Sequence, residues 1–248
     1  MSATLVLDGA VARLTLERPE ALNALNREVA TVLEHALTRL EGSKDTIVVI
    51  VSGRGRAFCA GNDIAEMPAL TPAEARALSR RWQKIMDRFA RLPQVTIAAV
   101  RGYALGGGCM LAAAQDLRIA EEGARFGLPE VTLGFNPSYG IARLLDVMGG
   151  GPARDLLLTG RSIDAAEALR MGLVTRVVPD GTLESAAAEL AAGIARHPRG
   201  GLAATKAIVA DLRAGKSGGA AQAYAASLRR DKDAQARIAD FVAKRTKG

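Results

Sequence analysis

An α/β fold is predicted for this chain of 248 residues by two patterns. Short apolar runs, Ile47 to Val51 and Val95 to Val100, alternate with segments of helical periodicity. Buried parallel strands and their crossover helices read this way. Beyond Asn136 the pattern turns almost wholly helical, with Leu173 to Val178 the one strand expected there. The length allows one large or two small domains. The linker candidate Arg196-His197-Pro198-Arg199-Gly200-Gly201 divides an α/β core, residues 1–195, from a helical C-terminal region, residues 196–248.

Each element has a local reason. Leu5 to Leu7 and Val11 to Leu16 alternate around Asp8-Gly9, a hairpin signal. Asn26 is placed to cap a helix whose apolar stripe is Val29, Val32, Leu33, Ala36, Leu37 and Leu40, with Gly42 stopping it. Thr71-Pro72-Ala73-Glu74 is a capping box with proline at the first helical position, opening a helix to about Leu92. Leu117 to Ala120 reads as a short strand. Helices are then expected over 141–148, 152–158, 165–170, 183–196, 202–213, 219–229 and 233–244.

Composition excludes several classes. No apolar run approaches a membrane span, and the first residues open straight into a strand pattern rather than a signal peptide. A cytoplasmic protein without membrane partners is expected. Cys59 and Cys109 lack metal-ligand spacing and read as small reduced packing residues. The net charge of +7 is concentrated at the C-terminus. Residues 196–248 hold 12 Lys or Arg against 4 Asp or Glu, while the remainder holds 21 against 22. Such a segment attracts phosphates. With only Tyr224 and Phe241 as aromatics it lacks the stacking platforms of single-strand binders. A phosphate-bearing small molecule, or plain solvation, is expected rather than nucleic acid.

Two glycine-rich stretches follow the two strand candidates. One is Gly102-Tyr103-Ala104-Leu105-Gly106-Gly107-Gly108-Cys109-Met110, leading into a helix-like segment at Met110 to Ala114. The other is Ser52-Gly53-Arg54-Gly55-Arg56-Ala57-Phe58-Cys59-Ala60-Gly61-Asn62-Asp63-Ile64. A glycine triplet lets backbone N–H groups approach a ligand, and a helix starting there aims unpaired N–H groups and its positive dipole end at the same place. Two such segments can supply the two backbone donors that hold a developing oxyanion. Nicotinamide and P-loop fingerprints are absent. The two histidines, His35 and His197, lie outside both loops, which argues against a Ser-His-Asp triad or a histidine metal site.

Taken in order, these residues resemble the crotonase family, also called the enoyl-CoA hydratase/isomerase superfamily. The resemblance rests on Arg18-Pro19 with Asn23-Ala24-Leu25, on Ala57 to Ile64, on Gly102 to Cys109, and on Phe126-Gly127-Leu128-Pro129-Glu130. Thr159-Gly160-Arg161, Ala165 to Ala168, Gly172-Leu173-Val174 and the ending Phe241 to Arg245 fit as well. The resemblance implies an α/β, crotonase-like spiral of β-β-α turns with a helical C-terminal trimerisation region. It implies a homotrimer or a hexamer built from two trimers, acting on an acyl-CoA of fatty acid metabolism, with no cofactor beyond the coenzyme A of the substrate and no metal. It places the oxyanion donors at the backbone N–H groups of Asn62 and Gly107, and an acid-base glutamate at Glu130. Leu22, Ala24, Ala60, Asp63 and Ile64 would line the coenzyme A groove. Tyr103, Leu105, Gly106, Met110, Pro129, Leu133 and Tyr139 would border substrate. Phe241 and Lys244, from a neighbouring subunit, would close over the nucleotide end.

Two departures from the family pattern bear on the reaction. Hydratases of the family use two glutamates, and the first position is Met110 here. A single base that removes a proton from one carbon and returns it to another completes double-bond isomerisation. That reaction is favoured, with hydration next; dehydration, decarboxylation and a non-catalytic acyl-CoA-binding role are the alternatives. In addition, Asn136-Pro137-Ser138-Tyr139-Gly140-Ile141 replaces a Pro-Gly-x-Gly-Gly run and is one residue shorter. Tyr139 or Asn136 could supply a polar group in place of the missing glutamate.

Overall fold

The structure, a computed structural model, describes residues 2–66, 70–217, 219–228 and 230–245. The sequence builds two sheets. Strands β1 (Ala3–Asp8) and β2 (Val11–Leu16) form the antiparallel hairpin expected around Asp8-Gly9, with Asp8 opposite Val11. Then β3 (Val48–Gly53), β5 (Val95–Val100), β7 (Leu117–Glu121) and β10 (Arg176–Val178) add in parallel, giving the order β1-β2-β3-β5-β7-β10. A second sheet, in the order β4-β6-β8-β9, is made of three-residue strands: β4 (Ala57–Cys59), β6 (Tyr103–Leu105), β8 (Arg125–Gly127) and β9 (Ser162–Asp164). The chain therefore coils. A long strand of the first sheet is followed by a short strand of the second and then a helical segment: β3-β4-α2 (Pro72–Arg91), β5-β6-α3 (Gly107–Ala114), and β7-β8 with the 3-10 turn Pro129–Leu133.

Helix α1 (Arg27–Gly42) starts as expected, with Asn26 Oδ1 accepting from Val29 N at 2.8 Å. The Thr71–Glu74 capping box forms at the head of α2, whose buried face is Trp82, Ile85, Met86 and Phe89. The sheet strands alternate between two cores. Val49, Val51, Ala98 and Val100 face Trp82, Phe58 and Phe89. Val48, Ile50, Ile97 and Ile119 face Leu183, Ala187 and Ala191 of α7 (Leu183–Ala195). Helices α4 (Ile141–Met148), α5 (Gly150–Thr159) and α6 (Ala165–Arg170) follow the first coils. The C-terminal region holds α8 (Arg199–Arg213), α9 (Gly219–Leu228) and α10 (Lys232–Arg245). Lys206 of α8 is buried against the core, its Nζ 2.8 Å from Gln94 O and 2.7 Å from Asp116 Oδ2.

Three expectations need correction. The strand expected over 173–178 is confined to Arg176–Val178, and β9 adds a strand where only helix was expected. The helix after the glycine triplet begins at Gly107, so two of the three glycines lie inside it. The helix expected over 219–229 is described over Gly219–Leu228, and Arg229 lies outside the described residues. Among the described residues no helix is long and apolar enough to cross a membrane.

Candidate active site

The two glycine-rich loops leave adjacent parallel strands of the second sheet, β4 and β6, so they arrive side by side. The contact is close: a Cβ on Gly61 would stand 2.9 Å from Leu105 O. Gly61 has φ +104 and Gly106 φ +50, conformations that suit glycine. The first loop is pinned on both sides of Asn62. Leu25 N donates to Gly61 O at 2.8 Å and Asp63 N to Leu25 O at 2.9 Å. The second is pinned through Gly106 N, which donates to Gly127 O at 2.8 Å. Between these anchors the N–H groups of Asn62 and Gly107 donate to nothing among the described residues. Gly107 is the first residue of α3, so its N–H lies at the positive end of the helix.

A buried polar clamp holds the first loop. Asn23, in the left-handed region at φ 59, accepts from Arg18 N at 2.9 Å and donates to Arg54 O at 2.9 Å and Ala57 O at 2.7 Å. Arg18 donates to Ala24 O at 2.7 Å and to Asp63 Oδ2 at 2.9 Å. The sequence motif supplied these residues without showing what they do. They carry no chemistry and fix where the Asn62 amide points.

The unpaired amides open into a cleft of about 360 Å³. Glu130, on the 3-10 turn Pro129–Leu133, also lines it, beside Gly106. A Cβ on Gly106 would stand 2.9 Å from Glu130 Oε1, so the carboxylate depends on the missing side chain. Its Oε2 is buried with no hydrogen-bond partner. Burial holds the Glu130 carboxyl above the ordinary carboxylate range. Met110 is buried at 1% exposure and packs beneath Gly140, which has φ +78. Tyr139, 5% exposed, stacks on Trp82 with ring centroids 6.2 Å apart and donates its hydroxyl to Asn62 Oδ1. Burial raises its phenol well above the ordinary range. Cys59 and Cys109 are free and buried, their thiols pushed up to about 12 by burial, as packing residues should be.

Of the residues expected from sequence, Ala60, Asn62, Ile64, Gly106, Gly107, Met110, Pro129, Glu130, Leu133 and Tyr139 line this cleft. Leu22, Ala24 and Asp63 stand behind it, in the clamp that supports the first loop. Tyr103 and Leu105, expected to border substrate, are not among the residues that line it. They sit on β6, where Tyr103 is exposed, and the residues after the strand turn into the cleft instead. Phe241 is exposed on α10 and does not reach its own chain's cleft. Lys244 lies in the same helix, and its side chain is outside the described residues. Sequence reasoning missed Phe135 and Pro137, which line the far wall. The exposed Ile64, Leu133 and Phe135 give that cleft an apolar rim.

Two coil-related loops offering unpaired amides, beside one half-buried carboxylate, have the equipment to hold an oxyanion next to an acid-base group. Comparison with known proteins gives it a family. Residues 7–246 match the model of the enoyl-CoA hydratase/isomerase family. The chain is 42% identical over 186 residues to a short-chain-enoyl-CoA hydratase of Clostridium acetobutylicum, covering 74% of this chain and 71% of that one. It is 48% identical over 175 residues to a probable enoyl-CoA hydratase of Mycobacterium bovis, covering 69% of this chain and 66% of that one, just under two thirds of its length. The crystal structure of an enoyl-CoA hydratase from Bacillus anthracis superposes with a TM-score of 0.91 at 33% identity, covering 98% of this chain and 97% of the other. The chain belongs to the enoyl-CoA hydratase/isomerase family and has the crotonase fold. It is an enzyme of that family.

Proposed function

We propose that this enzyme moves protons on a short unsaturated acyl-CoA through an enolate, with Glu130 as its one acid-base group. The observation that carries the proposal is the pairing of the unpartnered Glu130 Oε2 with the unpaired amides of Asn62 and Gly107 in one cleft. The thioester oxygen would take both N–H groups. Removal of the proton on C2 of a 3-enoyl thioester then places negative charge on that oxygen. Each such donor is worth about 3–4 kcal/mol at the transition state. Returning the proton to C4 moves the double bond into conjugation, and Glu130 alone completes this cycle. A raised carboxyl suits both halves, because it brings the proton affinity of the base nearer the working pH.

Hydration is the second reading, favoured by the name of the Clostridium relative. Dehydration, the reverse of hydration, and decarboxylation would use the same enolate. The loop around Leu22 and Ala24, with Ala60, Asp63 and Ile64, fits a groove for the coenzyme A arm. Phe241 and Lys244 would close that groove from a neighbouring copy in a trimer or hexamer. Light scattering at three or six chain masses supports that assembly, and a monomer would remove it.

The test is incubation in heavy water with a 3-enoyl-CoA and, separately, a 2-enoyl-CoA, read by mass spectrometry. Wild type should convert the 3-enoyl substrate, and Glu130→Gln should lose about 10²–10⁴ in kcat. Full activity in Glu130→Gln would sink the reading. Tight acyl-CoA binding without turnover would favour a binding protein.

A further inference from the structure

Two cleft groups have no role in the reaction just proposed, the Tyr139 hydroxyl and the Asn62 side chain. They come from segments 77 residues apart and are joined by a hydrogen bond from the hydroxyl to Asn62 Oδ1. Both line the cleft. Both also crowd the second oxyanion donor: a Cβ on Gly107 would overlap the Tyr139 hydroxyl and stand 2.5 Å from Asn62 Oδ1. The pair therefore lies where the acyl group must pass, beside the anchored thioester.

The bond also fixes which way the carboxamide points. Oδ1 accepts from the phenol, so Nδ2 is the free end, and it donates to nothing among the described residues. The phenol oxygen keeps an acceptor lone pair after donating its proton. Together the pair presents one acceptor and two N–H donors. A water molecule or an alcohol, which both donates and accepts, is the matching ligand. Packing alone does not require the bond, since the Tyr139 ring already has its packing partner in Trp82.

We propose that the Tyr139 hydroxyl and the Asn62 carboxamide hold the oxygen that adds to, or leaves from, C3 of the acyl chain, the orienting task for which Met110 has no group. This rests on the Glu130 reading above. In hydration the Glu130 carboxylate takes a proton from the held water as its oxygen bonds to C3. The C2=C3 electron pair moves to form the enolate, held by the Asn62 and Gly107 amides. Glu130 then gives the same proton to C2. No electron carrier is needed, and the reverse sequence expels water. Tyr139 orients the water and stays neutral throughout, because burial disfavours its phenolate.

The experiment compares two reactions in two variants: hydration of a 2-enoyl-CoA, read by loss of the conjugated-thioester absorbance and gain of a water mass, and double-bond migration in a 3-enoyl-CoA. Tyr139→Phe keeps the ring on Trp82, and Asn62→Ala keeps the backbone N–H. In each, hydration kcat should fall about 10²-fold, as for a reacting group displaced by about 1 Å. The ratio of hydration to migration should fall roughly tenfold or more. Melting temperatures show that both variants fold. An equal fall in both reactions, unchanged hydration, or a wild type that adds no water would each overturn the proposal. Glu130→Gln separates it from the reading beneath. Survival of both reactions in that variant refutes the Glu130 assignment itself. Their loss there, with hydration intact in Tyr139→Phe, refutes only the role of Tyr139 and Asn62.

Discussion

Gly107→Ala tests the cleft at its most confined point. The helix start at Gly107 is ordinary for any L residue, since Gly107 is not among the glycines with positive φ. The added methyl would stand 2.5 Å from Asn62 Oδ1 and 3.2 Å from Leu25 Cδ1, and would overlap the Tyr139 hydroxyl. Ordinary contact begins near 3.4 Å, so the methyl is roughly 1 Å too close to the carboxamide. All three neighbours are side-chain atoms, and the two closest border the cleft. They can yield, so the chain should fold while the space for the thioester oxygen closes. The loss should match removal of one oxyanion donor, about 10²–10³ in kcat or 2.7–4 kcal/mol. Gly108→Ala supplies the contrast. There the methyl would overlap the Cys59 carbonyl oxygen and stand 2.7–2.8 Å from Cys59 C and Cβ, inside the core, and overpacking should cost about 1–3 kcal/mol of stability or more. Steady-state turnover of a 2-enoyl and a 3-enoyl thioester, with thermal melts alongside, separates the two. Gly107→Ala turning over within about threefold of wild type, under roughly 0.7 kcal/mol, would refute the placement of the oxyanion at this amide.

Three further outcomes follow from the same geometry. Turnover should fall on the acidic side with an apparent pKa above the ordinary value of 4.5 for glutamate, because Glu130 must be ionised to act as base; a limb at the ordinary value would contradict its burial. Between the ordinary and the raised pKa the native state binds more protons at Glu130 than the unfolded chain does, so stability contributed there falls as pH rises, and Glu130→Gln should melt higher than wild type near neutral pH while being inactive. Asn23→Ala strips one acceptor and two donors from a fully buried position and should cost about 2–4 kcal/mol, lowering the melting temperature and weakening turnover together.

The first sheet was readable because five of its six strands are five or six residues long, and those at its centre are apolar, as in Val48–Gly53 and Val95–Val100. The second sheet was not. Strands such as Ala57–Cys59 and Arg125–Gly127 are three residues long, too short to show alternation, and exist because neighbouring coils pair them. The cleft divides the same way. Gly106, Gly107 and Asn62 announce themselves, since glycine loops after strands have few other uses. The surroundings of Glu130 depend on which apolar groups fold over it, and the bond between Tyr139 and Asn62 spans 77 residues. Motif membership alone does not show that Tyr103 stands on the strand while the residues beyond it make the turn into the cleft.

The coil has a consequence for how this active site is measured out. Asn62 and Gly107 follow adjacent hydrogen-bonded strands of successive coils, and such strands lie about 4.8 Å apart. Two donors that far apart can each lie near 2.9 Å from one oxygen between them. The spacing of the two loops is thus inherited from the sheet, and the Asn23 and Arg18 side chains brace the first of them. Glu130 and Tyr139 hang from other segments around those loops, and Met110 lies one turn into the helix that Gly107 begins. They can be exchanged without moving the electrophile, so a change of reaction requires new side chains and leaves the anchor in register.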